Sequence, residues 1–262
     1  METTQAVGNV RVAWEGRGIV TLTMARPEKR NALSLPMMRE LEGAIRAVGE
    51  SPDARVAILR GEGPAFSAGH DLRELVDRDE DAYREVFDAC VDLMREISTV
   101  DVPVIAEVER VATAAGCQLV AACDLAVAAT TATFATPGVR IGLFCSTPMV
   151  ALVRAIGRKR AMEMLLTGTP IDAPTALAWG LVNRVVAPER LHEATLELAS
   201  AIAGASSAVV RLGKAAFYRG VDLTVGDAYA DAKSTMICNA LVPDAQEGMH
   251  AFLEKRAPTW KA

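Results

Sequence analysis

Two stretches of this 262-residue chain carry residues whose types and spacing suit carbonyl chemistry. Pro64-Ala65-Phe66-Ser67-Ala68-Gly69-His70-Asp71-Leu72 follows an apolar run ending near Leu59 and a Gly61-Glu62-Gly63 turn, so it lies where a strand gives way to a loop. Ala112-Thr113-Ala114-Ala115-Gly116-Cys117-Gln118 follows the apolar run Val104 to Val108 and opens a predicted helix, where unpaired N–H groups and the positive end of the helix dipole collect. Two backbone donors from two loops converging on one carbonyl oxygen would form an oxyanion hole, and each donor there contributes about 3 kcal/mol of transition-state stabilisation. Small residues at a helix start also let a helix sit close to a sheet. The two segments alone leave both readings open.

The elements that must position these stretches alternate. Apolar, β-rich runs at Ile19 to Met24, Val56 to Leu59 and Val104 to Val108 are separated by helical patterns that start near Leu35 and run through Tyr83 to Ile97. A helix through Ala122 and a short strand at Asp124 to Ala128 continue the alternation, which makes the fold class α/β. From Thr147 almost everything reads as helix, through Ala161 to Leu166, Pro174 to Trp179, Leu191 to Ala203, Val209 to Tyr218 and Asp244 to Lys255. An α/β core over residues 1–187 and a helical region over 188–262 are expected.

Composition narrows the function classes. With 51% hydrophobic residues and no repeat of solenoid period, the chain suits one large domain or a core with an appendage. No stretch approaches the roughly 18 uncharged apolar residues of a membrane span, so no membrane partner is expected. The net charge of -5 and the lack of a concentrated basic run argue against nucleic acid. Cys90, Cys117, Cys123, Cys145 and Cys238 form neither a CxxC pair nor a His/Cys metal spacing, and their odd number argues against a disulfide framework. No metal is expected, and Cys117, Cys123 and Cys238 read as small core residues. His192 and His250 fall in helical surface patterns and read as solvated. METTQAVGNV has neither basic amphipathic nor apolar signal character, so a cytoplasmic location is expected.

Five motifs occur in order over nearly the whole chain: Arg26-Pro27-Glu28-Lys29-Arg30-Asn31-Ala32-Leu33-Ser34, Phe66-Ser67-Ala68-Gly69-His70-Asp71-Leu72, Ala114-Ala115-Gly116-Cys117-Gln118-Leu119, Ala178-Trp179-Gly180-Leu181-Val182-Asn183 and Glu247-Gly248-Met249-His250-Ala251-Phe252-Leu253-Glu254-Lys255-Arg256. Together they resemble the crotonase (enoyl-CoA hydratase/isomerase) superfamily. The resemblance implies a crotonase-like spiral of ββα repeats with a helical C-terminal oligomerisation region. It further implies homotrimers or hexamers that bind acyl-CoA thioesters, with coenzyme A arriving as part of the substrate and no separate cofactor. Matched residue by residue, the backbone N–H groups of His70 and Ala115 would form the oxyanion hole around the thioester carbonyl. Family members usually carry glycine where Ala115 stands, which keeps the N–H but narrows the approach. Lys29, Arg30 and Ala32 match the stretch that contacts the nucleotide part of CoA. Ala68, Gly69, Asp71 and Leu72 match the substrate-binding segment, and Lys255 matches a terminal helix that helps with phosphates.

The resemblance also marks a departure. Hydrating an enoyl thioester needs one group to activate water and another to handle the α-proton, and hydratases of this superfamily use two glutamates. The first position here is Gln118, whose amide can hydrogen-bond a water but does not titrate. The second, within Phe134-Ala135-Thr136-Pro137-Gly138-Val139-Arg140, is Gly138, which offers no side chain. Enolate stabilisation through an oxyanion hole needs neither carboxylate. No proton donor is obvious; Cys145, Ser146, Arg140 and the His70 imidazole lie in the relevant segments. Ala112 to Val120, Phe134 to Gly138 and Gly142 to Pro148 are similar to the branch called enoyl-CoA hydratase domain-containing protein three, which shares both departures. The expected function is an acyl-CoA-binding lyase of the enoyl-CoA hydratase/isomerase kind that stabilises a thioester enolate. A malonyl-type acyl-CoA decarboxylase, implied by the likeness of Phe66 to Asp71 to methylmalonyl-CoA decarboxylases, and a non-catalytic acyl-CoA-binding protein are the alternatives.

Overall fold

The apolar runs become strands that are buried on both faces. The computed structural model describes residues 5–261. It begins with β1 (Gln5–Val7), β2 (Val10–Gly16), β3 (Ile19–Met24) and α1 (Leu35–Glu50), and continues with three repeats of two strands and a helix. These are β4 (Val56–Gly61), β5 (Ala65–Ser67) and α2 (Glu80–Thr99); β6 (Val104–Val108), β7 (Val111–Thr113) and α3 (Ala115–Ala122); and β8 (Leu125–Ala129), β9 (Thr133–Ala135) and α4 (Ser146–Ile156). Next come α5 (Arg158–Thr167), β10 (Ile171–Asp172), α6 (Ala173–Trp179) and β11 (Arg184–Val186). Four helices follow: α7 (Leu191–Ala203), α8 (Ser207–Gly220), α9 (Val225–Ala240) and α10 (Pro243–Leu253).

Among the described residues, one sheet has seven strands in the order β1-β2-β3-β4-β6-β8-β11 and a second has four in the order β10-β9-β7-β5. The first strand of each repeat joins the large sheet and the second joins the small one, in parallel pairs throughout. Each repeat thus turns a corner between its two strands. The corners of the first two repeats hold the two stretches singled out above.

Local chemistry accounts for the helices that matter here. Ser34 caps α1 by accepting from the Met37 N–H, Pro36 fits its first turn, and Met37, Met38, Leu41, Ile45 and Val48 form the buried stripe. Asp79 caps α2 through the Ala82 N–H at 2.9 Å, and Val86, Ala89, Cys90, Leu93 and Ile97 face inward. On the opposite face of the large sheet, α7 sets Leu191, Ala194 and Ala199 against Ile19, Val56, Ile58, Ile105, Val127 and Ala129. Strands covered on both sides have no polar face to show, which is why they read as continuous apolar runs.

Helix α8 binds the carbonyl ends of the two core helices with cations. Arg211 donates to the carbonyls of Gly49 in the last turn of α1 and of Ser51 and Ala54 beyond it. Lys214 donates to Ile97 O at 2.8 Å, Val102 O at 2.9 Å and the Asp124 carboxylate at 2.7 Å. The Tyr218 hydroxyl takes the other Asp124 oxygen. Burial lowers the Lys214 pKa, with Asp124 opposing that shift.

Several expectations are corrected. The reading of nearly continuous helix after Thr147 misses β10 and β11. Lys255 lies beyond the end of α10, exposed and in a left-handed turn at φ 57°, rather than inside the terminal helix. Cys238 is exposed on α9 and is not a core residue. His192 keeps an exposed side, as expected, but is also engaged: its Nδ1 lies 2.9 Å from the Glu107 carboxylate, which is buried beneath α7 and also paired with Arg60.

Candidate functional site

The two corner loops meet. Gly69 has φ +83°, and a Cβ placed on it would fall 2.8 Å from the Ala114 Cβ and 3.1 Å from the Ala115 nitrogen. A Cβ on Gly116 would fall 2.4 Å from the Ser67 carbonyl oxygen. The small residues therefore let the start of α3 press against the Ser67–Gly69 backbone. Ala114 takes φ 52° and ψ -120°, a conformation that costs a non-glycine residue on the order of 1–3 kcal/mol. Among the described residues, neither the His70 N–H nor the Ala115 N–H donates to any acceptor. Two unengaged donors from two touching loops are suited to a carbonyl oxygen.

A third loop braces them. Asn31, fully buried with φ 52°, donates to Glu62 O and Ala65 O and accepts from the Arg26 N–H. The Ser67 hydroxyl donates to Asn31 O, the Ala68 N–H to Arg30 O, and the Leu33 N–H to Gly69 O. This brings Lys29, Arg30 and Ala32 beside Ala68 and Gly69. Lys29 is half-buried and ends a short 3-10 turn, and Arg30 is exposed. Asp71 spends one carboxylate oxygen on the Arg73 N–H, and Leu72 is exposed. Lys255 is the one expected binding residue that no hydrogen bond or ion pair joins to these loops among the described residues.

The two positions without carboxylates have different surroundings. Gln118 is buried on the first turn of α3, and its Oε1 lies 3.9 Å from the Cys90 thiol of α2. Burial pushes the Cys90 thiol up to about 12, so it remains a neutral S–H. Gly138 sits in a 3-10 turn, and a Cβ there would fall 2.3 Å from the Leu143 carbonyl oxygen and 2.8 Å from the Cys145 sulfur. The Leu143 N–H donates back to Gly138 O. The following loop thus fills the space that a side chain at 138 would need. Burial also raises the Cys145 thiol, with the Gly138 backbone opposing. His70 stands edge-on to Phe87, with ring centroids 5.6 Å apart, and burial lowers its pKa while the Leu33 backbone pulls the other way. No group of three His, Cys, Asp or Glu side chains among the described residues could hold a metal ion.

The family model described as enoyl-CoA hydratase/isomerase matches residues 15–262. This chain belongs to the enoyl-CoA hydratase/isomerase family. The chain is similar to the human enoyl-CoA hydratase domain-containing protein 3, mitochondrial, at 50% identity over 93% of this chain and 80% of that one. Its likeness to the mouse protein of the same name is 49% over 93% and 81%. Among solved structures, a Mycobacterium smegmatis enoyl-CoA hydratase superposes with a TM-score of 0.95 at 47% identity, covering 98% of this chain and all of that one. The fold is the α/β crotonase fold, as the motifs led us to expect.

Membership of the enoyl-CoA hydratase/isomerase family brings one further correction. The human and mouse relatives are named mitochondrial, which overturns the cytoplasmic location expected from the sequence. A targeting segment is an address read apart from the folded domain, so the domain's composition does not report its compartment. Within the site, sequence reasoning missed Asn31, Cys90 and Leu143. Asn31 had a signal, because Asn tolerates a left-handed backbone and its side chain can bond two loops at once. The other two act through contacts between segments distant in sequence or through a backbone carbonyl, and no residue type announces those.

Proposed function

We propose that this chain binds acyl-CoA thioesters and stabilises the thioester enolate through the backbone N–H groups of His70 and Ala115. The observation that carries this reading is the pair of unengaged N–H donors on two loops held together at Gly69 and Ala114. The reaction is of the enoyl-CoA hydratase/isomerase kind, as in the hydratase to which the structure is similar. It does not use two carboxylates: position 118 holds an amide and position 138 has no room for a side chain. CoA enters with the substrate, the Lys29, Arg30 and Ala32 loop supplies its contacts, and Lys255 meets it only across the surface or from another copy. The apolar face of α8–α10, where Phe217, Tyr229, Leu241 and Phe252 are exposed, supports a homotrimer or hexamer.

The test is incubation of the protein with crotonyl-CoA while the conjugated enoyl absorbance is followed, beside Gln118→Glu. Wild-type turnover above background supports a hydratase that uses other groups. A silent wild type and an active Gln118→Glu variant mean a CoA site that has lost hydration, and malonyl-CoA is then the substrate to try. Failure of calorimetry to detect binding of any CoA ester would sink the reading.

A further inference from the structure

Gln118 is 4% exposed, and the two ends of its carboxamide have different surroundings. The oxygen Oε1 accepts from the Cys90 thiol of α2 at 3.9 Å, within the reach of a sulfur donor. The nitrogen Nε2 donates to no acceptor among the described residues, and yet it is not sealed. The side-chain polar atoms shut away without a partner are the two His70 ring nitrogens, the Thr136 hydroxyl and one Asn239 oxygen. What little of Gln118 meets solvent therefore includes its amide donors, and native structures leave few such donors idle without a reason.

The helix decides where that nitrogen stands. Gln118 lies one turn along α3 from Ala115, and a helical side chain leans toward the N-terminus and covers the turn before its own Cα. The carboxamide thus overlies the turn that offers the Ala115 N–H, against which the loop of Gly69 and His70 is pressed. Carbonyl donor and amide donor are about one helical pitch apart, about 5.4 Å, a span that an acyl group bridges with its second and third carbons. Cys90 decides which end of the amide faces out. Burial pushes its thiol up to about 12, so the S–H keeps a proton to give to Oε1 and leaves Nε2 toward the opening. With glutamine at 118 and glycine at 138, neither position puts a negative charge in the way of an electron-rich ligand.

We propose that Cys90 is a positioning residue that holds the Gln118 carboxamide with its N–H groups toward the acyl chain, so that the site selects acyl-CoA thioesters bearing a carbonyl or carboxylate oxygen on the third acyl carbon. The proposal rests on the acyl-CoA reading above and gives it a substrate class. Three donors then act on two oxygens: the N–H groups of His70 and Ala115 on the thioester oxygen, and Gln118 Nε2 on the second. A chain without that second oxygen leaves the amide donor unpaired, and a site built to bond an oxygen discriminates against the ligand that lacks it.

The experiment measures the affinities of butyryl-CoA, acetoacetyl-CoA and malonyl-CoA by calorimetry. Acetoacetyl-CoA adds a ketone oxygen to the third carbon of butyryl-CoA, and malonyl-CoA places a carboxylate there. Wild type is expected to bind acetoacetyl-CoA about 10-fold more tightly than butyryl-CoA, the effect of one hydrogen bond, with malonyl-CoA preferred in the same sense. Gln118→Met, of similar volume but without donors, loses both preferences. Cys90→Ala lets the amide turn over and brings the two affinities together, whereas Cys90→Ser, whose hydroxyl donates in place of the thiol, keeps them apart. The ratio within one variant is the readout, because a merely structural role for Cys90 would weaken both esters alike. Equal affinities for acetoacetyl-CoA and butyryl-CoA in wild type overturn the proposal, and so does a preference that survives in Gln118→Met or in Cys90→Ala. A wild type that binds none of the three esters removes the acyl-CoA reading itself, an outcome distinct from equal binding.

Discussion

At the scale of single residues, Gly138 shows how a missing side chain can be fixed by its surroundings. The Leu143 carbonyl and the Cys145 sulfur occupy the volume that a Cβ would enter. Gly138→Ala is therefore expected to lose about 1–3 kcal/mol in urea denaturation, the range for overpacking against backbone. An unchanged midpoint would mean that the 143–145 loop yields freely. The glycine identity was legible in the sequence and its cause was not, because the obstacle is a backbone atom five positions along. The same limit applied to Gln118: its residue type excluded a titrating role, but its contact with Cys90 spans 28 positions and leaves no periodic trace. Gly69 and Gly116 were legible as small residues at a loop and a helix start, and the structure shows what that smallness permits.

At the scale of elements, what could be read depended on length and burial. Ile19–Met24 and Val104–Val108 were legible to the residue because both faces are covered, so that only Thr21, Thr23 and Glu107 interrupt the apolar runs. The three-residue strands β5, β7 and β9 were not, since three residues show neither period nor composition. Helix α7 was placed well, at Leu191 to Ala203, but its docking partner was hidden. His192 at its start meets Glu107 of β6, and the hydrogen bond to that carboxylate raises the histidine pKa against the effect of burial. A raised folded-state pKa gives stability that is whole below the unfolded value near 6.5 and is lost as pH rises through the folded value. The stability lead of wild type over His192→Gln should accordingly shrink between mildly acidic and mildly basic buffers. A lead that is constant with pH would show that the pair contributes nothing through titration.

At the scale of the whole molecule, the α/β half and the four final helices present different surfaces. Phe252 on α10 is 82% exposed, and Leu241, the residue that caps the end of α9, is 77% exposed. Leu241→Glu together with Phe252→Glu is expected to move the protein to a smaller species in sedimentation velocity while its circular dichroism is retained. An unchanged sedimentation coefficient would assign the contact between copies, if one forms, to another face. The motifs made the fold legible at this scale because they span nearly the whole chain in order. The Arg211 and Lys214 contacts carry a consequence for biosynthesis. The carbonyls they bind come together only when α1 and α2 have wound to their ends. The ribosome delivers both of those helices well before α8, so the sockets precede the plugs. Docking of α8 then works as a check on the first half of the fold: a chain in which α1 or α2 has not wound to its end has nowhere to seat Arg211 and Lys214.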